Sequence, residues 1–270
     1  MKFSEKILLA LSRKPENNDY QQGQQGWDID NAFSLLCKVF PNFKDIIVDK
    51  AIVDFGCGIG YQSIAMAKGR AKYVLGIDIN NEGLSKARDL AQRLGIMQKV
   101  KFTNKLQDSI KGKFDIVISQ NSMEHFNDPA KALNNMKSLL KLDGTILVTF
   151  GPPWFAPYGS HMQFFTKIPW VNILFSEKTI LNVRAHFRND GSTKYEEVKG
   201  GLNKITVKKF EQIILNSGLK IKYRRYDCVK GINLLGNLIS RKNYTYAMPG
   251  SWMSKALRIS RCALVNSVRI

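Results

Sequence analysis

From Ala51 onward, short apolar runs alternate with stretches of helical period. Ala51-Ile-Val-Asp-Phe55, Tyr73-Val-Leu-Gly-Ile77, Val100 to Thr103, Phe114-Asp-Ile-Val-Ile-Ser119 and Thr145-Ile-Leu-Val-Thr-Phe150 read as buried strands. Between them, Tyr61 to Lys68 reads as a helix, and Glu82 to Leu94 as a second one carrying Leu84, Ala87, Ala91 and Leu94 on one face. Pro129 opens a third through Leu133, Met136 and Leu140, with Asp143-Gly144 as its stop. Upstream, Asp28 or Asp30 caps a helix through Phe33, Leu35, Leu36 and Val39 that Pro41 ends. Strands alternating with helices predict an α/β fold: a Rossmann-like, doubly wound, mostly parallel sheet with helices on both faces.

The alternation breaks after Phe150. Residues 151–204 hold Pro152, Pro153, Pro157 and Pro169 among Trp154, Phe155, Tyr158, Phe164, Phe165, Trp170 and Phe175. An aromatic-rich insertion of this length after the fifth strand reads as a substrate lid or wall, or as a small satellite core that closes the domain. The pattern returns with a helix over Thr206 to Ser217 and a strand over Leu219 to Tyr226, while Ser251 to Val268 fits a basic amphipathic helix or, in its later half, a last strand. The expected organisation is a polar lead-in (glutamine-rich over Asn17 to Trp27) and helix over 1–45, a ligand-binding core over 46–150, the insertion over 151–205, and a C-terminal completion with a basic tail over 206–270.

Val53-Asp-Phe-Gly-Cys-Gly-Ile-Gly60 puts glycines at 56, 58 and 60, where the first strand turns into its helix. Glycine weakens strands and helices alike, so the spacing implies unusual dihedrals and close approach of a ligand to the main chain. In an open parallel sheet, ligands lie at this corner, beside the free N–H groups of a helix start. The dinucleotide fingerprint G-x-G-x-x-G would need a glycine at 61, which is Tyr61. The carboxylate of Asp54 just ahead of the glycines disfavours a pyrophosphate and suits an ammonium group. Asp78, 22 positions after Gly56 at the end of the second strand, offers two acceptor oxygens to a ribose diol. An ammonium at one end and a ribose at the other describe S-adenosyl-L-methionine.

Four segments in order, V-D-F-G-C-G-I-G, G-I-D-I, F-D-I-V-I-S-Q-N-S-M-E-H-F-N-D-P and L-L-K-L-D-G-T-I-L-V-T, make residues 50 to 150 resemble the class I S-adenosylmethionine-dependent methyltransferases, in particular the type 11 group of quinone, sugar and lipid methyltransferases. The resemblance implies that Gly56, Gly58 and Gly60 line the methionine portion, with Asp54 near its amino group, Asp78 on the ribose and Ile79 against the adenine. Ser119 and Gln120 would face the cofactor near the reacting methyl. The family's acidic residue after the third strand is replaced by Leu106, so Asp108 takes its part or the adenine is held by backbone and apolar contact.

Composition narrows this picture. The 270 residues are 44% hydrophobic and 23% charged, which excludes wholesale disorder. No apolar run approaches the ~18 residues of a membrane span, and Met1 to Lys14 lacks a signal-peptide cleavage pattern. Cys37, Cys57, Cys228 and Cys262 show neither metal nor disulfide spacing, so no metal is expected and a cytoplasmic setting fits. The net charge is +19, and residues 184–270 carry 18 Lys+Arg against 5 Asp+Glu. Such a surface is either simply solvated or meets an anionic partner: a phosphorylated or acidic acceptor, lipid headgroups or nucleic acid.

Methyl transfer from a sulfonium requires alignment, exclusion of water and, for a hydroxyl acceptor, a base. His125 in S-M-E-H-F reads as a pocket residue or a loop fastener; His161, among the aromatics of the insertion, reads as a base candidate; His186 reads as structural or surface. Trp154, Tyr158 and Trp170 offer ring faces to a sugar, quinone or lipid-linked acceptor, and Ile168 to Phe175 offers peripheral membrane contact. The expected function is methyl transfer to O or N of such an acceptor. A nucleic-acid methyltransferase is the alternative, although S-Q-N-S-M-E-H stands where a base modifier carries Asn-Pro-Pro-Tyr or Asp-Pro-Pro-Tyr. A non-catalytic cofactor-binding scaffold is the third reading.

Overall fold

The computed structural model describes residues 1–13, 28–198, 200–229 and 261–269. Its strands are β1 (Ala51–Phe55), β2 (Tyr73–Ile77), β3 (Val100–Thr103), β4 (Phe114–Gln120), β5 (Leu140–Phe150), β6 (Lys220–Val229) and β7 (Arg261–Arg269). They form one sheet in the order β3-β2-β1-β4-β5-β7-β6. The first five are parallel, and β7 lies antiparallel between β5 and β6. Strand order reverses between β1 and β4, which places the ligand crevice at their carboxyl ends.

The helices are α1 (Phe3–Ala10), α2 (Ile29–Val39), α3 (Phe43–Ile46), α4 (Tyr61–Lys68), α5 (Asn81–Arg93), α6 (Pro129–Leu139), α7 (Val171–Leu174), α8 (Glu177–Ala185) and α9 (Val207–Asn216). Strands buried on both faces need apolar residues at consecutive positions, which is why the runs in β1, β2 and β4 do not alternate. On one face, Leu36, Ile64 and Leu84 of α2, α4 and α5 pack on Ile52, Val74 and Ile118. On the other, Leu133 and Met136 of α6 and Phe210 and Ile214 of α9 cover Val53, Val117 and Val148. The Phe150 and Phe210 rings meet edge to face at 4.9 Å, holding α9 on the sheet.

The insertion builds a third core. Met162, Phe165, Val171, Ile180, Leu181 and Tyr195 bury one another, and Leu8 of α1 joins them with no exposure. Ser4 and Thr179 hydroxyls lie 3.2 Å apart, and Asn182 donates to Glu5 at 2.7 Å, so α1 docks on α8. Of the aromatics, Phe165 and Tyr195 are buried in this core, and Trp154, Phe164, Phe175 and Phe187 pack against it. Trp154, Tyr158 and Trp170 are half-buried.

One expectation needs correction and two are completed. The helix opened by Pro129 ends at Leu139, not at Asp143-Gly144; β5 starts at Leu140, which pairs with Phe114, and the strand runs through the glycine after a register shift on β4. Asp28 rather than Asp30 caps α2, accepting from Asn31 N at 2.7 Å. The lead-in also contains α1, which the sequence reading left out. Of the alternatives for Ser251 to Val268, the strand is found over Arg261–Arg269, while 251–260 and the glutamine-rich segment lie outside the described residues. No helix among the described residues is long and apolar enough to cross a membrane.

Candidate active site

The glycine loop joins β1 to α4 at the point of strand-order reversal. Gly56 and Cys57 donate to the Ile77 carbonyl at 2.8 and 3.1 Å, binding the loop to the end of β2. Its three glycines have different jobs. All have positive φ: +84° at Gly56, +55° at Gly58 and +78° at Gly60. A Cβ on Gly56 would come within 2.6 Å of Ser122 Oγ, and one on Gly60 within 2.6 Å of Ala87 Cβ and 2.8 Å of the Phe102 ring. A Cβ on Gly58 would meet nothing within 4 Å. Two glycines thus let protein pack on protein, and Gly58 alone opens onto space.

Two carboxylates belong to this corner, Asp54 in β1 and Asp78 just after β2. Asp54 is 1% exposed, and one of its oxygens accepts from Ser63 Oγ at 2.6 Å. Burial pushes its carboxyl up to about 6; the Ser63 hydrogen bond opposes the rise and the nearby Asp78 charge adds to it. Asp78 is half-buried and spans the corner, its Oδ2 accepting from Gly58 N at 2.7 Å and its Oδ1 from Asn80 N at 2.8 Å. Ile79 beside it is 92% exposed, an apolar side chain presented to solvent at the rim. Asp108 stands on a 3-10 turn after β3, exposed and ion-paired to Lys111 at 2.6 Å, which holds its carboxyl below the usual range.

The end of β4 forms the opposite wall. Ser119 is fully buried, and its Oγ has no hydrogen-bond partner among the described residues. The Gln120 carboxamide accepts from Gln62 Nε2 on α4, closing the gap between strand and helix. Ser122 Oγ reaches the Gly56 carbonyl at 3.2 Å, and the Phe126 ring leans on Phe55 at 5.5 Å. The S-M-E-H-F loop is in this way seated directly on the glycine cradle.

Both singled-out histidines meet in one place. The rings of His125 and His161 stand edge to face with centroids 5.5 Å apart. They share a pocket of about 60 Å³ with Phe164, Arg184, Arg188 and Leu202. His125 Nδ1 lies 2.8 Å from the Gly201 carbonyl. A carbonyl only accepts, so Nδ1 carries the proton and the neutral ring keeps its lone pair on Nε2. His186, by contrast, is exposed at the end of α8.

Sequence reasoning passed over the residues that hold this pocket together. Asn203 Nδ2 donates to the Met123 and Phe126 carbonyls, each at 2.7 Å, and Asn203 N donates to the Glu124 carbonyl at 3.0 Å. Glu124 is 3% exposed; its Oε1 accepts from Gly151 N at 3.2 Å, and burial pushes its carboxyl upward. Arg184 is buried and forks onto both oxygens of Asp190 at 2.6 and 2.5 Å. The Arg188 guanidinium lies 3.8 Å over the Phe164 ring. Gly200-Gly201 was the only visible signal: both have positive φ, and both lie against His125.

Residues 48–152 match a family described as a methyltransferase domain. Over 134 residues the chain is 33% identical to a ubiquinone biosynthesis O-methyltransferase of Actinobacillus pleuropneumoniae serotype 7 (strain AP76), covering 44% of this chain and 56% of that one. A protein of the same name from Aeromonas salmonicida (strain A449) is 32% identical over 132 residues, covering 46% and 55%. The chain thus spans a little over half the length of these curated relatives. Among solved structures, an S-adenosylmethionine-dependent methyltransferase from Mesorhizobium loti shares the fold with a TM-score of 0.55 at 17% identity, over 90% of this chain and 100% of that one.

Proposed function

We propose that this chain, whose residues 48–152 match a methyltransferase-domain family, is a class I S-adenosylmethionine-dependent methyltransferase that transfers a methyl group to an oxygen of a small-molecule acceptor. The observation that carries the reading is the corner at Gly58, where a Cβ would meet nothing within 4 Å, Asp78 accepts from the Gly58 N–H and Ile79 stands exposed. These groups fit S-adenosylmethionine part by part. Asp54 offers charge to the ammonium, and the two oxygens of Asp78 suit a ribose diol. Ile79 gives the adenine an apolar face, with Asp108 on the turn after β3 a candidate for its amino group. The unpaired Ser119 Oγ and the carboxamide of Gln120 supply polar atoms on the β4 side. Gly56 and Gly60 shape the cradle by letting Ser122, Ala87 and Phe102 close behind it.

When bound, S-adenosylmethionine supplies a methyl group already activated on a sulfonium. The chain's own work is then to align the acceptor, keep water out and take up the hydroxyl proton. His125 suits the last task, because its bond to the Gly201 carbonyl leaves Nε2 as the acceptor atom. His161, edge-on to it, is the second candidate base from the same pocket. The names of the relatives favour an oxygen nucleophile on a small molecule over nitrogen or nucleic acid. The half-buried rings of Trp154 and Tyr158 suit an acceptor with a flat or lipid-like body.

Calorimetric titration with S-adenosylmethionine tests the reading. Micromolar binding is expected, and Asp78→Ala should weaken it roughly ten- to a hundredfold through loss of two charge-assisted hydrogen bonds. Failure of the parent protein to bind overturns the function; equal binding by both proteins overturns the ribose role alone.

A further inference from the structure

Helix α1 presents three kinds of residue around its circumference. Ser4, Glu5 and Leu8 face the protein: Leu8 enters the third core, Ser4 meets Thr179 and Glu5 takes the Asn182 amide. Phe3, Ile7 and Leu11, at every fourth position, form a line on another side and are 79%, 37% and 58% exposed. Lys2 and Lys6 stand one position ahead of Phe3 and Ile7, and all four side chains are exposed. Arg13, also exposed, follows just past the helix, its main-chain N–H held on the Phe165 carbonyl at 2.7 Å. Leu8 already anchors the helix, so packing does not explain the outer line of apolar groups.

A second apolar group stands nearby. Ser4 fastens α1 to the first turn of α8, and α7, which ends two residues short of α8, exposes Ile173 and Leu174 at 56% and 64%. Lys167 and Lys178 are exposed on either side of α7. The acids of these segments are engaged elsewhere: Glu5 is buried, and Glu177 pairs with Lys204 at 2.8 Å. Among the described residues no ion pair occupies Lys6, Arg13, Lys167 or Lys178. Apolar side chains and uncommitted cations therefore come together here. A stable protein interface takes about 20–30 residues a side, more than one helical line supplies. A bilayer surface asks for no more than this line, since an apolar helix stripe enters the head-group boundary while basic residues meet anionic lipid. We propose that α1 docks on an anionic lipid bilayer, with Phe3, Ile7 and Leu11 in the acyl boundary and Lys6 and Arg13 on the lipid phosphates. The inference stands apart from the methyltransferase reading, because it requires neither cofactor nor acceptor.

Sedimentation of the full chain with vesicles tests it. Vesicles of phosphatidylcholine mixed with phosphatidylglycerol should carry the protein down, salt should release it, and phosphatidylcholine alone should leave it in solution. Phe3→Ser combined with Ile7→Ser should weaken binding to the anionic vesicles roughly tenfold or more, and Lys6→Gln combined with Arg13→Gln by roughly tenfold. Leu215→Ser removes a side chain 66% exposed on α9 and should change nothing. A thermal melt of each variant checks that it is folded. No binding to either vesicle, equal binding to both, undiminished binding by either double variant, or an equal loss in Leu215→Ser overturns the proposal. So does lipid-free dimerisation that Phe3→Ser with Ile7→Ser abolishes, which would give the line to a second copy. Failure of the parent protein to bind S-adenosylmethionine, with vesicle binding intact, would instead sink the methyltransferase reading alone.

Discussion

Asp54 shows how one buried charge ties the cradle to pH. Its carboxyl is raised to about 6, chiefly by burial, so the proton comes off about two units later than in an unfolded chain. In the free protein this favours the folded state below the unfolded value, and that advantage is lost as pH rises through about 6. Cofactor binding runs the other way. An ammonium needs the carboxylate, so affinity for S-adenosylmethionine should rise with pH, by at most about tenfold per unit, and level off above about pH 6–7. Calorimetry across about pH 5 to 8 measures this, and a flat profile would remove Asp54 from contact with the ammonium. His125 is the second decisive residue. His125→Ala should lower kcat roughly a hundredfold or more with cofactor affinity unchanged, as expected for a lost base. An unaltered kcat would reduce the ring to a fastener of the Gly201 carbonyl. The sequence marked both residues, yet it gave no sign that Gly56 and Gly60 answer to Ser122, Ala87 and Phe102, because those neighbours lie up to 66 positions away.

At the scale of elements, residues 200–205 are a strap laid over the β4 loop and fastened by Asn203. Its three hydrogen bonds to Met123, Glu124 and Phe126 fix where Gly201 sits, and hence the tautomer of His125. Asn203→Ala leaves two part-buried carbonyls, of Met123 and Phe126, without this partner and should cost about 1–3 kcal/mol of stability. Amide exchange should quicken in 200–205 and in the β4 loop, while β1 and β2 keep their protection; unchanged exchange in the strap would mean that Asn203 does not hold it. Elements with local signals were legible: β1, β2 and β3 fall on their apolar runs, and α4 on its predicted bounds. The start of β5 was misread because Asp143-Gly144 is a sound helix stop by local rules, whereas pairing of Leu140 with Phe114 decides otherwise. Helix α1 was missed for a related reason, since its partners Thr179 and Asn182 lie more than 170 positions downstream.

Across the whole molecule, the mostly parallel sheet could be read from the alternation of runs, and the glycine corner from three glycines with an aspartate ahead of them and another after β2. The meeting of His125 with His161 could not. It depends on how the insertion folds back, and the insertion's own core has no repeating pattern to reveal its path. The basic surplus in residues 184–270 also gains a local focus, since Arg184 and Arg188 open that segment and both reach the histidine pocket.

Strand β7 has a kinetic consequence. It is wedged between β5 and β6, so β6 touches the rest of the sheet only through a partner synthesised more than thirty residues later. While the chain is still emerging from the ribosome, the parallel half and its cofactor corner can assemble, but the flank of β5 stays bare and β6 has no seat. Until the last strand slides home, α9 on Phe150 is the anchor that keeps this edge from drifting.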